Sequence, residues 1–271
     1  MSFTTHVQND LVWLTSSLLG GSPHGFSTRK GGVSPAPWDS LNLRSGCGDR
    51  QDHVLENFHR LCWAVGITAD RLVLSKQVHE TTVRPCTFSD AGKGLWLKQD
   101  YTADALITNE PGLPLTVFSA DCGVILLHDP IQGAVGAVHA GWRGCAGGIL
   151  EKTVEELHRL YGSHPSHLRA ALGPCIGQCC FETDDDVPEA MLASLGQDAA
   201  ACLKRQGPKW HVDLAGLNRQ WLLRAGLQPE HIDVSGLCTA CHPDLFWSHR
   251  KMREKRGVQA AIISLPTRGA T

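Results

Sequence analysis

Residues 115–148 read LTVFSADCGVILLHDPIQGAVGAVHAGWRGCAGG, and this stretch decides the fold class. Three apolar runs (115–119, 123–128 and 134–140) are separated by connections of only a few residues. Such connections are too short for helical crossovers, so an antiparallel arrangement is expected here. Further runs at 11–14, 24–28, 72–75, 104–108, 168–172, 231–235 and 258–265 also have the length and turn-bounded character of strands. Helical periodicity is rarer. It appears at 52–65 before Gly66, at 146–161, at 187–195 with Pro188 near its start, and after the capping residue Asp213 as far as Gly226. The expectation is one α+β domain over residues 1–271, with largely antiparallel or mixed sheets flanked by helices.

Bulk properties narrow the function. The 271-residue chain is 42% hydrophobic and 19% charged, enough for a sizeable core. Its formal net charge of −2 gives no electrostatic reason to expect nucleic acid or an anionic membrane as partner. Apolar runs such as 123–127 are too short to span a bilayer. The first ten residues lack the pattern of a secretory signal, so a cytoplasmic location is expected. The eleven cysteines then read as reduced thiols, available for metal binding or catalysis.

Cys122 follows one predicted strand, His139 ends another, and His79 lies just past a third. Two imidazoles and a thiolate suit Zn²⁺, and three protein ligands leave a fourth position open. Spacing alone favours the plainer reading of a buried thiol and two unconnected histidines. Beyond His139, GWRGCAGG (141–148) suggests a glycine-rich turn leading into the helix predicted from 146. In such a turn Arg143 and converging N–H groups would hold an anion. The alternative is a tight turn with Arg143 paired to a carboxylate. CTACH (238–242) matches a haem-attachment pattern, but without export or a second C-x-x-C neither haem nor a zinc ribbon is expected. CIGQCC (175–180) reads as local packing around a tight turn, with a reactive thiol as the alternative, and HPSH (164–167) as a surface loop.

GFSTRKGGVS (25–34), SLNL (40–43), QVH (77–79), SADCGVILL (119–127), HAGWRG (139–144), GPCIG (173–177) and CTACHPDLFWSHR (238–250) together resemble the YfiH-type family. That family is also called DUF152, the polyphenol oxidase/laccase domain and peptidoglycan editing factor. The motifs run in order from about residue 12 to 265. The resemblance implies a zinc-dependent purine nucleoside enzyme that phosphorolyses adenosine, inosine, guanosine and methylthioadenosine and deaminates adenosine. It implies zinc, rather than copper, held by His79, Cys122 and His139, the residues on which catalysis depends. It also implies contacts to substrate or phosphate from Arg143, Asn42, Lys76, Arg29 and Arg250. Asp121 and Glu80, each beside a ligand, are candidate proton shuttles. One departure is Phe246-Trp247-Ser248-His249-Arg250-Lys251, where the family often has Phe-Phe-Ser-His-Arg-Arg. Cys241 and His242 in that tail motif read as incidental. Three other readings stay open: a cysteine hydrolase editing peptidoglycan precursors with Cys122 as nucleophile, a copper-dependent polyphenol oxidase, and a non-catalytic metal-binding protein.

Overall fold

The apolar runs become strands, and in a computed structural model describing residues 3–267 they assemble into three sheets. In chain order the strands are β1 (Phe3–Gln8), β2 (Leu11–Ser16), β3 (His24–Ser27), β4 (Val73–Leu74), β5 (Val83–Pro85), β6 (Ala105–Thr108), β7 (Leu115–Ser119) and β8 (Gly123–Asp129). They continue with β9 (Ala134–Ala140), β10 (Arg169–Leu172), β11 (Glu182–Thr183), β12 (Leu203–Gln206), β13 (Lys209–Val212), β14 (Ile232–Val234) and β15 (Gln259–Ile263). The α-helices are α1 (Gln51–Val65), α2 (Trp142–Ala146), α3 (Ile149–Tyr161), α4 (Asp186–Leu195), α5 (Leu214–Arg224) and α6 (His249–Met252).

One six-stranded sheet has the order β1-β2-β3-β15-β7-β4 and the other β14-β10-β8-β9-β6-β5. Most neighbours are antiparallel. The outer pairs β4–β7, β5–β6 and β10–β14 are parallel. The sheets pack face to face, and the period of two decides what each residue touches. On β8, Val124 and Leu126 join Phe26, Val117 and Ala261 of the other sheet, whereas Ile125 and Leu127 face the helices. Helices α3 and α5 cover that outer face with Ile149, Val154, Leu157, Leu217 and Trp221. Helix α1 covers the opposite outer face with Val54, Phe58 and Leu61, and ends where Gly66 adopts a left-handed conformation. The result is a helix–sheet–sheet–helix sandwich with a small third sheet, β11-β13-β12, at one side. No described helix is long and apolar enough to cross a membrane.

Two expectations need correction. β7 does not pair with β8. It lies between β15 and β4 in the first sheet, so the chain crosses from one sheet to the other over residues 120–122. The short connection is a sheet-to-sheet corner, not a hairpin. The helix expected over 146–161 begins at Ile149, and a separate short helix, Trp142–Ala146, precedes it. Gly148, at φ +73°, separates α2 from α3, and WRGCA (142–146) forms a short helix instead of a glycine-rich turn. The small strands β1, β5, β11, β12 and β13 escape a sequence reading because their apolar pattern is too short or too polar.

Between the sheets, Gly173 lies against the Phe26 ring. A Cβ there would sit 2.3 Å from Phe26 Cδ1 and 2.5 Å from Cε1. Phe26 is fully buried and has little room to move. Gly173→Ala should therefore destabilise the fold by about 1–3 kcal/mol, read as a lower urea midpoint with an unchanged slope. An unchanged midpoint would show that this contact does not constrain the core.

Candidate metal centre and its flanking hollows

The candidate centre forms at one edge of the sheet-to-sheet interface. His139 shares the face of β9 that carries Val135 and Ala137, so its ring points toward the opposing sheet. Cys122 lies on the crossing segment. Ser119 Oγ donates to Cys122 O at 2.6 Å and closes the corner. Asp121 takes a φ of +94° there, a conformation costly for a residue with a Cβ. Its carboxylate holds the corner, accepting from Thr239 Oγ1 at 2.6 Å and from Arg250 N at 2.6 Å.

His79 arrives from the first sheet. The Gln77 side chain clamps the turn onto β7, donating to Phe118 O at 2.8 Å and accepting from Phe118 N at 2.7 Å. His79 itself has a φ of +62°. The buried Asp104 carboxylate secures this turn. Its oxygens accept from the backbone N–H groups of Val78, His79 and Glu80 at 3.1, 3.1 and 3.0 Å. Asp104 Oδ1 also lies 2.8 Å from His139 Nδ1. That contact turns His139 Nε2 away from Asp104, as a carboxylate oriented behind a ligating histidine does.

The donor atoms of His79, Cys122 and His139 all lie within 4.8 Å of one another. The two imidazoles stand edge to face, with ring centroids 4.9 Å apart. Gly141 leaves room beside them: a Cβ there would sit 2.9 Å from Cys122 Sγ and 3.3 Å from His79 Nδ1. Burial pushes the Cys122 thiol up, but His139 and His79 outweigh it and bring it down to about 6. Burial likewise pushes His139 down, but Cys122 and Asp104 outweigh it and raise it to about 9. Without a metal, the pair at neutral pH is thus a thiolate beside an imidazolium. A divalent cation replaces that proton readily, and the mixed N/S donor set fits zinc.

A hollow opens on each side of the three donors. The larger, about 670 Å³, is lined by Arg44, Lys76, Gln77, Phe118 and Arg256 among others. The smaller, about 440 Å³, is lined by Trp142, Arg143, Phe181, His249, Arg250 and Arg256. His79, Ala120, Cys122 and Arg256 border both. Among the described residues, Arg44, Lys76, Arg143, Arg250 and Arg256 form no ion pair within 4.0 Å, although other arginines do. Burial and the nearby Arg44 cation hold the Arg256 guanidinium below its usual range. Five cations without a carboxylate partner within 4.0 Å give the cleft a charge suited to an anion.

The other expected contacts separate. Arg143, Lys76 and Arg250 reach the hollows, whereas Arg29 and Asn42 line neither. The Arg29 guanidinium stacks 4.2 Å from the Trp247 ring and donates to Pro243 O and Asp39. Asn42 is buried and bonds Arg44 O, Asp49 and the N–H groups of Arg44 and Val258. It shapes the segment that carries Arg44. The carboxylate of Asp121, one proposed shuttle, is committed to the corner, and Glu80 is exposed. Asp104, Arg44 and Arg256 were not singled out by the sequence. Only Asp104 carries a local signal, a carboxylate heading a fully buried strand.

Residues 23–266 match the family model described as multi-copper polyphenol oxidoreductase laccase. A purine nucleoside phosphorylase, YlmD, of Geobacillus stearothermophilus is 36% identical over 249 residues, 90% of each chain. The purine nucleoside phosphorylase YfiH of Escherichia coli is 39% identical over 225 residues, covering 83% of this chain and 86% of that one. The chain belongs to the YfiH family. The crystal structure of the Geobacillus YlmD protein superposes with a TM-score of 0.90 at 35% identity, over 98% of this chain and 99% of that one. The YfiH fold is thus shared across nearly the whole chain.

Within this YfiH-family site, Asp104→Asn tests the bracing carboxylate. An amide cannot accept from three N–H groups and His139 together, so one donor would face another. Metal affinity should fall about 10–100-fold in a chelator competition. Stability should fall by about 1–3 kcal/mol. Unchanged affinity would contradict the positioning role.

Proposed function

We propose that this chain is a zinc-dependent purine nucleoside phosphorylase that also deaminates adenosine. The observation that carries the reading is the position of the three donors between two hollows ringed by unpaired cations. The relatives named as purine nucleoside phosphorylases supply the substrate class. His79, Cys122 and His139 would hold the ion. When bound, zinc supplies Lewis acidity and a position for water.

The chain's own residues do the rest. Arg143, Arg250 and Arg256 bind inorganic phosphate through forked donors. The nucleoside lies across the border shared by the two hollows, its ribose facing that phosphate. A phosphate oxygen forms a bond to the anomeric carbon as the glycosidic C–N bond breaks. The purine leaves with the electron pair and takes up a proton. The cations counter the phosphate's charge, and their fixed positions limit reorganisation as the bond breaks. Expected substrates are adenosine, inosine, guanosine and methylthioadenosine. Adenosine deamination needs water in place of phosphate and yields inosine and ammonia.

The donor groups do not favour a multicopper oxidase. Among the described residues only two groups of three or more His, Cys, Asp or Glu donors converge, and the second contains no histidine. One observation favours a cysteine hydrolase: the Cys122 thiolate beside His139 is the pair such an enzyme would use. The two readings part on metal, because a bound ion occupies the Cys122 sulfur.

Metal-analysed protein incubated with a nucleoside panel should release free purine and ribose 1-phosphate only when phosphate is present. It should convert adenosine to inosine with or without phosphate. Arg143→Ala should lower kcat/KM for phosphate about 10–100-fold while leaving deamination nearly unchanged. Turnover of no nucleoside by zinc-loaded protein would overturn the proposal.

A further inference from the structure

Four cysteines outside this site converge where two loops meet. Cys179 and Cys180 end the GPCIGQCC segment, and Cys238 and Cys241 form the C-x-x-C of CTACH. Their sulfurs all lie within 4.8 Å of one another. Cys241 Sγ is 3.4 Å from both Cys179 Sγ and Cys180 Sγ. One thiol equally close to two others is the arrangement of a shared centre rather than of a committed pair. A tetrahedral ion with metal–sulfur bonds of about 2.3 Å places its sulfurs about 3.8 Å apart, close to this spacing. The Gly177 N–H donates to Cys238 Sγ at 3.2 Å, as an amide does to a thiolate that shares its charge with a metal. Gly177 also keeps the space open: a Cβ there would sit 3.3 Å from Cys179 Sγ and 3.4 Å from Cys238 Sγ. Gly141 plays the same part beside Cys122.

We infer that Cys179, Cys180, Cys238 and Cys241 form a second metal centre, a closed four-thiolate site suited to zinc, which is structural. All four positions belong to the protein, so none remains for water or substrate. As the ion binds, each sulfur bonds to it and each thiol proton passes to solvent. In the sequence, CTACH lacks the second C-x-x-C of a zinc ribbon, and CIGQCC reads as local packing. The fold supplies an adjacent Cys-Cys pair instead.

The centre would brace one wall of the smaller hollow. The two loops already meet through Cys175 N to Leu237 O at 3.3 Å and Thr239 N to Cys175 O at 3.0 Å. One loop carries Ile176 and Phe181, which line that hollow. The other carries Thr239, whose hydroxyl holds Asp121 beside Cys122.

The test counts metal per chain in full-length protein purified under reducing conditions. Wild type should hold about two zinc ions, and Cys122→Ala and the double variant Cys179→Ser/Cys241→Ser about one each. Cobalt loaded into Cys122→Ala should give strong sulfur-to-metal charge-transfer bands, and these should vanish when the Cys179→Ser/Cys241→Ser pair is added. Cys122→Ala does not touch the four-cysteine cluster, so it keeps the test decisive if the serine variant fails to fold. A folded Cys122→Ala protein that binds neither zinc nor cobalt would overturn the inference. So would a disulfide joining Cys241 to Cys179 or Cys180 in freshly purified protein. Neither readout depends on nucleoside turnover, so this inference and the proposed function can fail separately.

Discussion

The Asp104 carboxylate holds the site together. It is fully buried, and four donors compensate that burial: three consecutive backbone N–H groups from the His79 turn and the His139 ring. Burial alone would push its acid up. The bonds to His139 and to the Glu80 and Val78 amides hold it below the usual range, so it stays charged. One side chain thus ties a turn following the first sheet to a strand of the second. Removing it would leave the amides and His139 without their acceptor, and the two histidines would lose their common reference.

The rest of the site follows from where the sheets meet. A strand that leaves one sheet and enters the other must turn at their edge, and this chain places Cys122 in that turn. The alternation of β9 aims His139 into the same edge. Helices cover the outer faces, so the edge is where a cleft can open. Arg44 and Lys76 reach it from one flank, Arg143 and Arg250 from the other, and Arg256 borders both. Glu254 and the corner-bound Asp121 are outnumbered by five cations in the lining, so the cleft carries positive charge although the whole chain carries a formal net charge of −2. That local charge, rather than the overall balance, is what would draw an anion to the cleft.

Much of this was legible in the sequence, for identifiable reasons. Strands such as 123–129 and 134–140 are continuous apolar runs because both of their faces are buried. Helices α1 and α5 carry clear stop and cap signals at Gly66 and Asp213. The strand ends offered the three donors as one reading among others, and the ordered motifs singled them out, since long-range spacing does not encode proximity. The partner of β7 was not legible, because the sequence does not say at which short turn a chain changes sheets. Nor was the break at Gly148, since a helical pattern tolerates a glycine until tertiary contacts decide. Asp104 looked like an ordinary residue at a strand start, and Arg256 belongs to no motif. The cysteine cluster was hidden because its halves lie far apart and only one has a recognisable spacing.

Zinc-edge anomalous diffraction from crystals grown with nucleoside and phosphate tests the central claim most directly. It should show a peak bounded by His79, Cys122 and His139, with phosphate on Arg143, Arg250 and Arg256 and the nucleoside beside it. A three-donor site without a peak in zinc-replete protein, or a nucleoside bound away from both hollows, would contradict the account.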